Sequence, residues 1–570
     1  MKMKRLLPLV GIVALSLTAR PSIAATYEIT TDSLYEHLSV LASDSLEGRE
    51  TGEIGEEKAA RYIVNEFKAI GLEPLGDSGS YLQAFEFVKK IDFGRNNSLT
   101  VNGEELELNE EFRPMVQSAD IRFDFDEVIP VGYGMTIDST DHDDYAGLDV
   151  SGKAVVVKRF EPESDDTTAQ FAGYSSLADK VINAIEHDAA GVFFITPSDQ
   201  DDTMMTGGYT HVTPKEIPIV FLRRKALEKL GIDMDNPAPF TAFGETELVR
   251  VRDTGYNVVG YLPTGNDSSI ILGAHYDHLG WGGSSSRYMG TEKKIHYGAD
   301  DNGSGTTALI ELARQFSSER DQLRHSLVFI AFSGEEKGIL GSSHYSRNMT
   351  VDPEAVRMMI NMDMIGRLKD QEKGLAIMGT GTCPEFKSYF DSLPDLGVTL
   401  AQRESGMGPS DHSAFYNREI PVLFFFTGAH EDYHKPDDVI DKIDFEGILK
   451  VAEIVHDATM YFDAYQGPLE FQKTKSEQAG MTRRQFSVTL GIMPDFITEV
   501  KGLRVDGVSA DRPAERAGIE TGDIITRLGE FQVDDIYTYM NCLGKFRKGD
   551  TTEVTVIRDT DTLNLEVIFE

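Results

Sequence analysis

The chain has 570 residues, 40% of them hydrophobic, so it is long enough for several domains with buried cores. Lys and Arg number 55 against 94 Asp and Glu, a formal net charge of −39, which opposes binding to nucleic acid or anionic lipid. Two cysteines, Cys383 and Cys542, exclude a disulfide framework and any cysteine-built metal site.

The first 25 residues, "MKMKRLLPLVGIVALSLTARPSIAA", combine a basic start, a short apolar stretch and small residues at Ser22 and Ala24. They read as a secretory signal cut near Ala24 or Ala25, with a periplasmic or secreted product and no integral membrane segment after its removal. From Glu57 to Ile70, Ala60, Ile63, Val64 and Phe67 share one helical face, and Gly71 stops the helix. Residues 26–126 are read as the first part of a main domain. Residues 127–249 change texture to short β runs mixed with helices ("VIPVGYGM", "GKAVVVKRF", "GVFFITP") and are read as an inserted α/β module.

From 250 to 465, apolar runs ("SIILGA", "SLVFIAF", "VRMMINM", "IPVLFFF") alternate with amphipathic segments; one of these places Leu309, Leu312, Ala313 and Phe316 on one face. This alternation predicts an α/β fold, a mixed sheet flanked by helices on both faces. Residues 466–485 are polar and read as a linker, and 486–570 return to closely spaced β runs.

The chemistry sits where the apolar runs end. "LGAHYDHLG" brings His275 and Asp277, "YGADDNGSG" Asp300, "AFSGEEKG" Glu335 and Glu336, "NMDMIG" Asp363, and "GAHEDYHKPDD" His430 and His434. Carboxyl ends of strands are where open α/β sheets bind ligands. Two histidines with three carboxylates suit a pair of divalent cations, one carboxylate bridging. The adjacent glutamates diverge at a strand end, so one can bind a cation while the other moves protons.

In this order "AHYDHLG", "GADDNGSG", "SGEE", "NMDMIG", "SDHSAF" and "YHKPDD" resemble the co-catalytic di-zinc exopeptidase (aminopeptidase) family M28. With the early "LASDSLEGRETG", the likeness runs from about Thr31 to Tyr465. The resemblance implies His275 and Asp363 on one metal, Glu336 and His434 on the other, and Asp300 bridging both. It implies a cis peptide between Asp300 and Asp301, Asp277 orienting His275, and Glu335 as general base in a reaction through a metal-bridging hydroxide. The implied cofactors are two Zn2+ per chain, with Co2+ or Mn2+ as substitutes, and the implied substrates are peptides with a free amino end.

The inserted region, with "YAGLDVSGKAVVVKRF", resembles a PA domain, an insert that borders the active site in this family. The tail, with "SVTLGI" and "GVSADRPAERAGIETGDIITRLG", resembles a PDZ domain, which implies a partner's peptide or C-terminus added as a strand. Other exopeptidases and cyclases share the fold, as do metal-free receptors. A single-metal cyclase or a receptor fits the full ligand set and retained Glu335 less well, and no basic cluster marks a carboxypeptidase.

Overall fold

A computed structural model describes residues 27–137, 142–162, 176–203, 214–283, 285–370 and 374–474 and, with short gaps, 488–569. The proposed signal lies outside these residues, and so do 475–485 of the expected linker. Among the described residues no helix is long and apolar enough to cross a membrane, and Cys383 and Cys542 are both free and buried.

The main domain is built on a nine-stranded mixed sheet. Its centre is four parallel strands in the spatial order Ser326–Phe332, Ser269–His275, Val356–Met362 and Val422–Phe426. Side chains alternate between faces, and both faces are dry. Ile270 and Leu272 join the core formed with the helices Ile54–Ile70, Gly305–Ser318 and Phe445–Ala464, whereas Ile271 joins Val328, Ile330 and Phe415 on the other side. Leu309, Leu312, Ala313 and Phe316 are fully buried, as their spacing predicts. The first of these helices ends at Gly71, whose φ of +89° supplies the left-handed cap that a side chain would resist.

Register aligns the strand ends. His275 pairs with Phe332, Gly273 with Asn361, and Met362 with Phe425, so the segments leaving all four strands emerge along one edge. An antiparallel ladder between Leu82–Phe93 and Leu248–Leu262 carries the chain out to the insert and back. The insert has its own eight-stranded sheet. That sheet includes Ser98–Val101, Glu104–Leu106 and Phe112–Pro114, so it begins ahead of the expected start at 127. The reason is pairing: Ser98–Val101 lies antiparallel to Phe240–Thr246, and Phe112–Pro114 to Ile219–Leu222. The tail forms a separate antiparallel sheet from Ile492–Pro494 to Asp561–Ile568, with the helix Pro513–Ala517.

The beginning of the expected linker is docked on the main domain. Arg357 donates to the carbonyls of Tyr465 and Gly467 at 3.0 and 3.2 Å, and the Gln472 amide donates to the Thr382 carbonyl at 2.7 Å. Phe471 lies 5.2 Å from the Tyr416 ring, and the Thr474 amide donates to the Tyr416 hydroxyl at 3.1 Å. A chain ending after Thr474 is therefore expected to melt as the main domain does in the full protein. One ending at Gln466 keeps the Tyr465 contact but forfeits those of Gly467, Phe471, Gln472 and Thr474, and is expected to melt a few degrees lower, at about 1 kcal/mol for each hydrogen bond lost. Equal midpoints for the two truncations would show that the segment contributes nothing.

Candidate metal centre

The strand Ser269–His275 ends on the buried His275, whose ring faces the loops that follow the neighbouring strands. His275 Nε2 lies 3.4 Å from Asp301 Oδ1 and 3.3 Å from Asp363 Oδ1. On the other side of Asp301, His434 Nε2 lies 3.3 Å from Asp301 Oδ2 and 3.1 Å from Glu336 Oε2. Two groups of donors thus converge, and Asp301 offers one oxygen to each. His434 holds its place with a φ of +59°, a strained conformation for a non-glycine residue of the kind that functional sites retain, and its Nδ1 faces the Ser285 carbonyl at 2.9 Å.

The aspartate that faces both donor groups is Asp301, whereas the expected Asp300 turns away from them. Asp300 Oδ1 accepts from the Gly366 amide at 2.6 Å, and Oδ2 faces His430 Nε2 at 3.3 Å. Asp300 and Asp301 are neighbours whose side chains leave the turn in different directions, and the amides of both donate to Asp438 Oδ2, at 2.9 and 3.1 Å. The cis peptide is likewise one residue further on, between Asp301 and Asn302. Asn302 then ties the turn to the Asp363 segment, donating to the Met362 carbonyl at 2.9 Å and accepting from the Met364 amide at 3.2 Å. His430 stays with Asp300, and Arg367, 3.1 Å from Asp432 and 3.4 Å from Asp438, completes a charged layer behind the site.

Asp277 sits beside His275 as expected, its Oδ1 3.6 Å from His275 Nδ1, while its main-chain carbonyl is closer at 3.2 Å. The same carboxylate accepts from Thr51 Oγ1 at 2.9 Å and from the Glu335 amide at 3.2 Å, so one side chain positions both the histidine and the glutamate turn. Sequence reasoning missed Ser410, whose hydroxyl donates to Asp363 Oδ2 at 2.8 Å, and Arg49. Arg49 is fully buried, and its guanidinium donates to four carbonyls: Tyr276 (2.6 Å), Leu41 (2.5 Å), Tyr297 (2.7 Å) and Gly298 (2.9 Å). It pins together the loops that carry His275 and Asp301. It lies in the early run "LASDSLEGRETG", but the run does not disclose its role, because its partners are main-chain atoms.

The two adjacent glutamates occupy opposite electrostatic states. Burial pushes the Glu335 carboxyl well above the usual range; His275 opposes this, and Asp363, Glu336 and Asp411 reinforce it. For Glu336, burial and Asp301 push upward, but the rings of His278 and His434 outweigh them and hold the carboxyl at about 2. His434 is raised to about 11, because its contacts with Asp301 and Glu336 overcome burial. Burial thus dominates at Glu335, and the two histidine rings dominate at Glu336.

The donor chemistry fits divalent metal. Four carboxylates, Asp301, Glu335, Glu336 and Asp363, crowd around the rings of His275, His278 and His434 in largely buried surroundings, an assembly that cations between them would neutralise. Glu336 Oε1 is buried with no hydrogen-bond partner among the described residues. Two compact sets, His275 with Asp301 and Asp363, and His278 with Asp301 and Glu336, have their donor atoms within 4.8 Å of one another. Histidine and carboxylate in these numbers suit zinc.

A mixed α/β sheet whose parallel strands deliver two histidine–carboxylate sets to one shared aspartate defines a metal-centre domain of the hydrolase kind. Residues 257–459 match the profile of Peptidase family M28, residues 127–230 that of the PA domain, and residues 480–569 that of a PDZ domain, so the chain carries an M28 peptidase domain together with PA and PDZ domains. Among curated relatives, the "Probable leucine aminopeptidase" of Trichophyton verrucosum is 26% identical over 35% of this chain and 54% of its own length. The "Probable lipoprotein aminopeptidase LpqL" of Mycobacterium tuberculosis is 24% identical over 78% of this chain and 88% of its own. The chain spans about half the length of the leucine aminopeptidases it matches. Among solved structures, an aminopeptidase from Aneurinibacillus sp. strain AM-1 is 24% identical, covers 78% of this chain and 97% of its own, and has a TM-score of 0.44.

Proposed function

We propose that the protein is an exported di-zinc aminopeptidase that removes residues from the free amino ends of peptides. The observation that supports this most is the pair of donor sets converging on Asp301 with Glu335 alongside. His275, Asp301 and Asp363 would hold one zinc, and Asp301, Glu336 and His434 the other. Zinc bound there supplies Lewis acidity, polarising the scissile carbonyl and acidifying the attacking water. Glu335 is the proton carrier: its carboxylate takes a proton from the attacking water and returns it to the leaving nitrogen. Asp277 fixes the Glu335 turn through the main-chain amide.

The PDZ domain is assigned a peptide or protein C-terminus as its partner, and the PA domain a role in access to the centre. Export rests on the first 25 residues, and amino-terminal sequencing of the protein recovered outside the cytoplasm is expected to show a start near Thr26.

Substrate polarity gives a direct test. Acetylating the amino end of a short peptide is expected to lower kcat/KM by about 10²-fold or more, the scale of a charged contact of roughly 3 kcal/mol. Equal rates on free and acetylated peptides would assign the protein to the endopeptidases or to another class.

A further inference from the structure

His278 follows His275 by three residues in "HYDH" and belongs to the compact set with Asp301 and Glu336, but neither proposed zinc position includes it. It is 1% exposed, and neither ring nitrogen makes a hydrogen bond among the described residues. Its amide donates to the Arg49 carbonyl at 3.2 Å. Its ring lies flush against Gly298, where an added Cβ would come within 2.5 Å of the ring, and Gly298 itself has a φ of +56°. The ring is wedged, and it faces the centre. Nδ1 lies 2.7 Å from Glu336 Oε1 and 3.7 Å from Asp301 Oδ2, and the ring centroid is 5.9 Å from that of His434.

A buried imidazole with one nitrogen lacking any partner among the described residues and the other facing a carboxylate out of line is costly, and core histidines almost always find aligned partners. Glu336 Oε1 is in reach of Nδ1, yet the two atoms meet at hydrogen-bond distance without the alignment a hydrogen bond needs. Two buried donor atoms that approach each other off-axis, next to a third on Asp301, share a common point rather than a proton.

We propose that His278 is a metal ligand, its Nδ1 adding a fourth protein donor to Asp301, Glu336 and His434. This rests on the two-metal reading above. It makes the centre asymmetric: the position at Glu336 has two imidazoles and two carboxylates, while the position at Asp363 has one imidazole and two carboxylates. The richer set binds more tightly and fills first.

Titration of the metal-free full-length protein with Co2+ tests this without reference to turnover, because a bound imidazole shows a strongly shifted N–H proton resonance. The first equivalent is expected to bring up two such resonances, and the second equivalent a third. In His278→Gln one of the first pair disappears, and chelator competition shows one of the two affinities reduced by about 10²-fold or more while the other holds. Two bound ions with only two shifted imidazole resonances in the unaltered protein would overturn the assignment, and so would His278→Gln with both affinities intact. The count in the unaltered protein stands even if the variant fails to fold. Failure to bind two ions at all would instead remove the two-metal reading on which the inference rests.

Discussion

Glu335→Gln is expected to keep the metal content of the unaltered protein while turnover falls by about 10²–10⁴-fold, the usual worth of a positioned general base. Glu336→Gln is expected to bind one metal weakly and to recover part of its activity in excess metal. The structure separates the two residues on physical grounds. Glu336 Oε2 lies 3.1 Å from His434 Nε2, and its carboxyl is held at about 2, so it is a fixed charge. Glu335 is half-buried, contributes no atom to either compact donor set, and has its carboxyl pushed well above the usual range by burial. Metal analysis and turnover on both variants decide the matter. A loss of metal in Glu335→Gln with both ions kept in Glu336→Gln would exchange the roles.

The second large effect separates another adjacent pair. Asp301→Asn removes the one carboxylate that faces both histidine sets, so both metals are expected to be lost and turnover to fall by about 10⁴-fold or more. Asp300→Asn keeps an oxygen for the Gly366 amide and gives up its charge beside His430, at 3.3 Å, and near Arg367. Metal content is expected to stay near normal, with a loss of about 1–3 kcal/mol in stability as His430 and Arg367 lose one of their acidic neighbours. Metal stoichiometry and thermal melting read the two effects separately. If Asp300→Asn emptied the centre and Asp301→Asn did not, Asp300 would be the bridging residue after all.

These pairs mark the limit of what the sequence discloses. The apolar runs, their alternation with amphipathic helices and the collection of His, Asp and Glu at strand ends follow from periodicity, which is why the sheet and the neighbourhood of the site were legible. Which member of "DD" turns inward was not, because the choice depends on a turn held by Asp438, Asn302 and Gly366, residues remote from one another in sequence. Arg49 escaped notice because it acts on carbonyls, which every residue has. Ser410 and His278 were visible as residue types inside quoted motifs, but only three-dimensional placement shows what they face. That strands ahead of residue 127 join the insert's sheet was hidden for a related reason: Ser98–Val101 owes its place to pairing with Phe240–Thr246, about 140 residues later. The docked segment 466–474 looks like a polar linker in composition, yet Phe471 and Thr474 fasten it to Tyr416.

Arg49 also sets the order in which the centre can come together. Three of its four carbonyl partners lie 227 to 249 positions further along the chain, whereas only Leu41 is local. The amino-terminal segment therefore waits during synthesis until the insert and the first central strand have been made, and closure of so long a loop is slow. His434 joins later still. The two donor sets are incomplete in a nascent chain until His434 has been made, and loss of the segment that carries Arg49 would leave the loops of His275 and Asp301 without the clamp that sets their spacing.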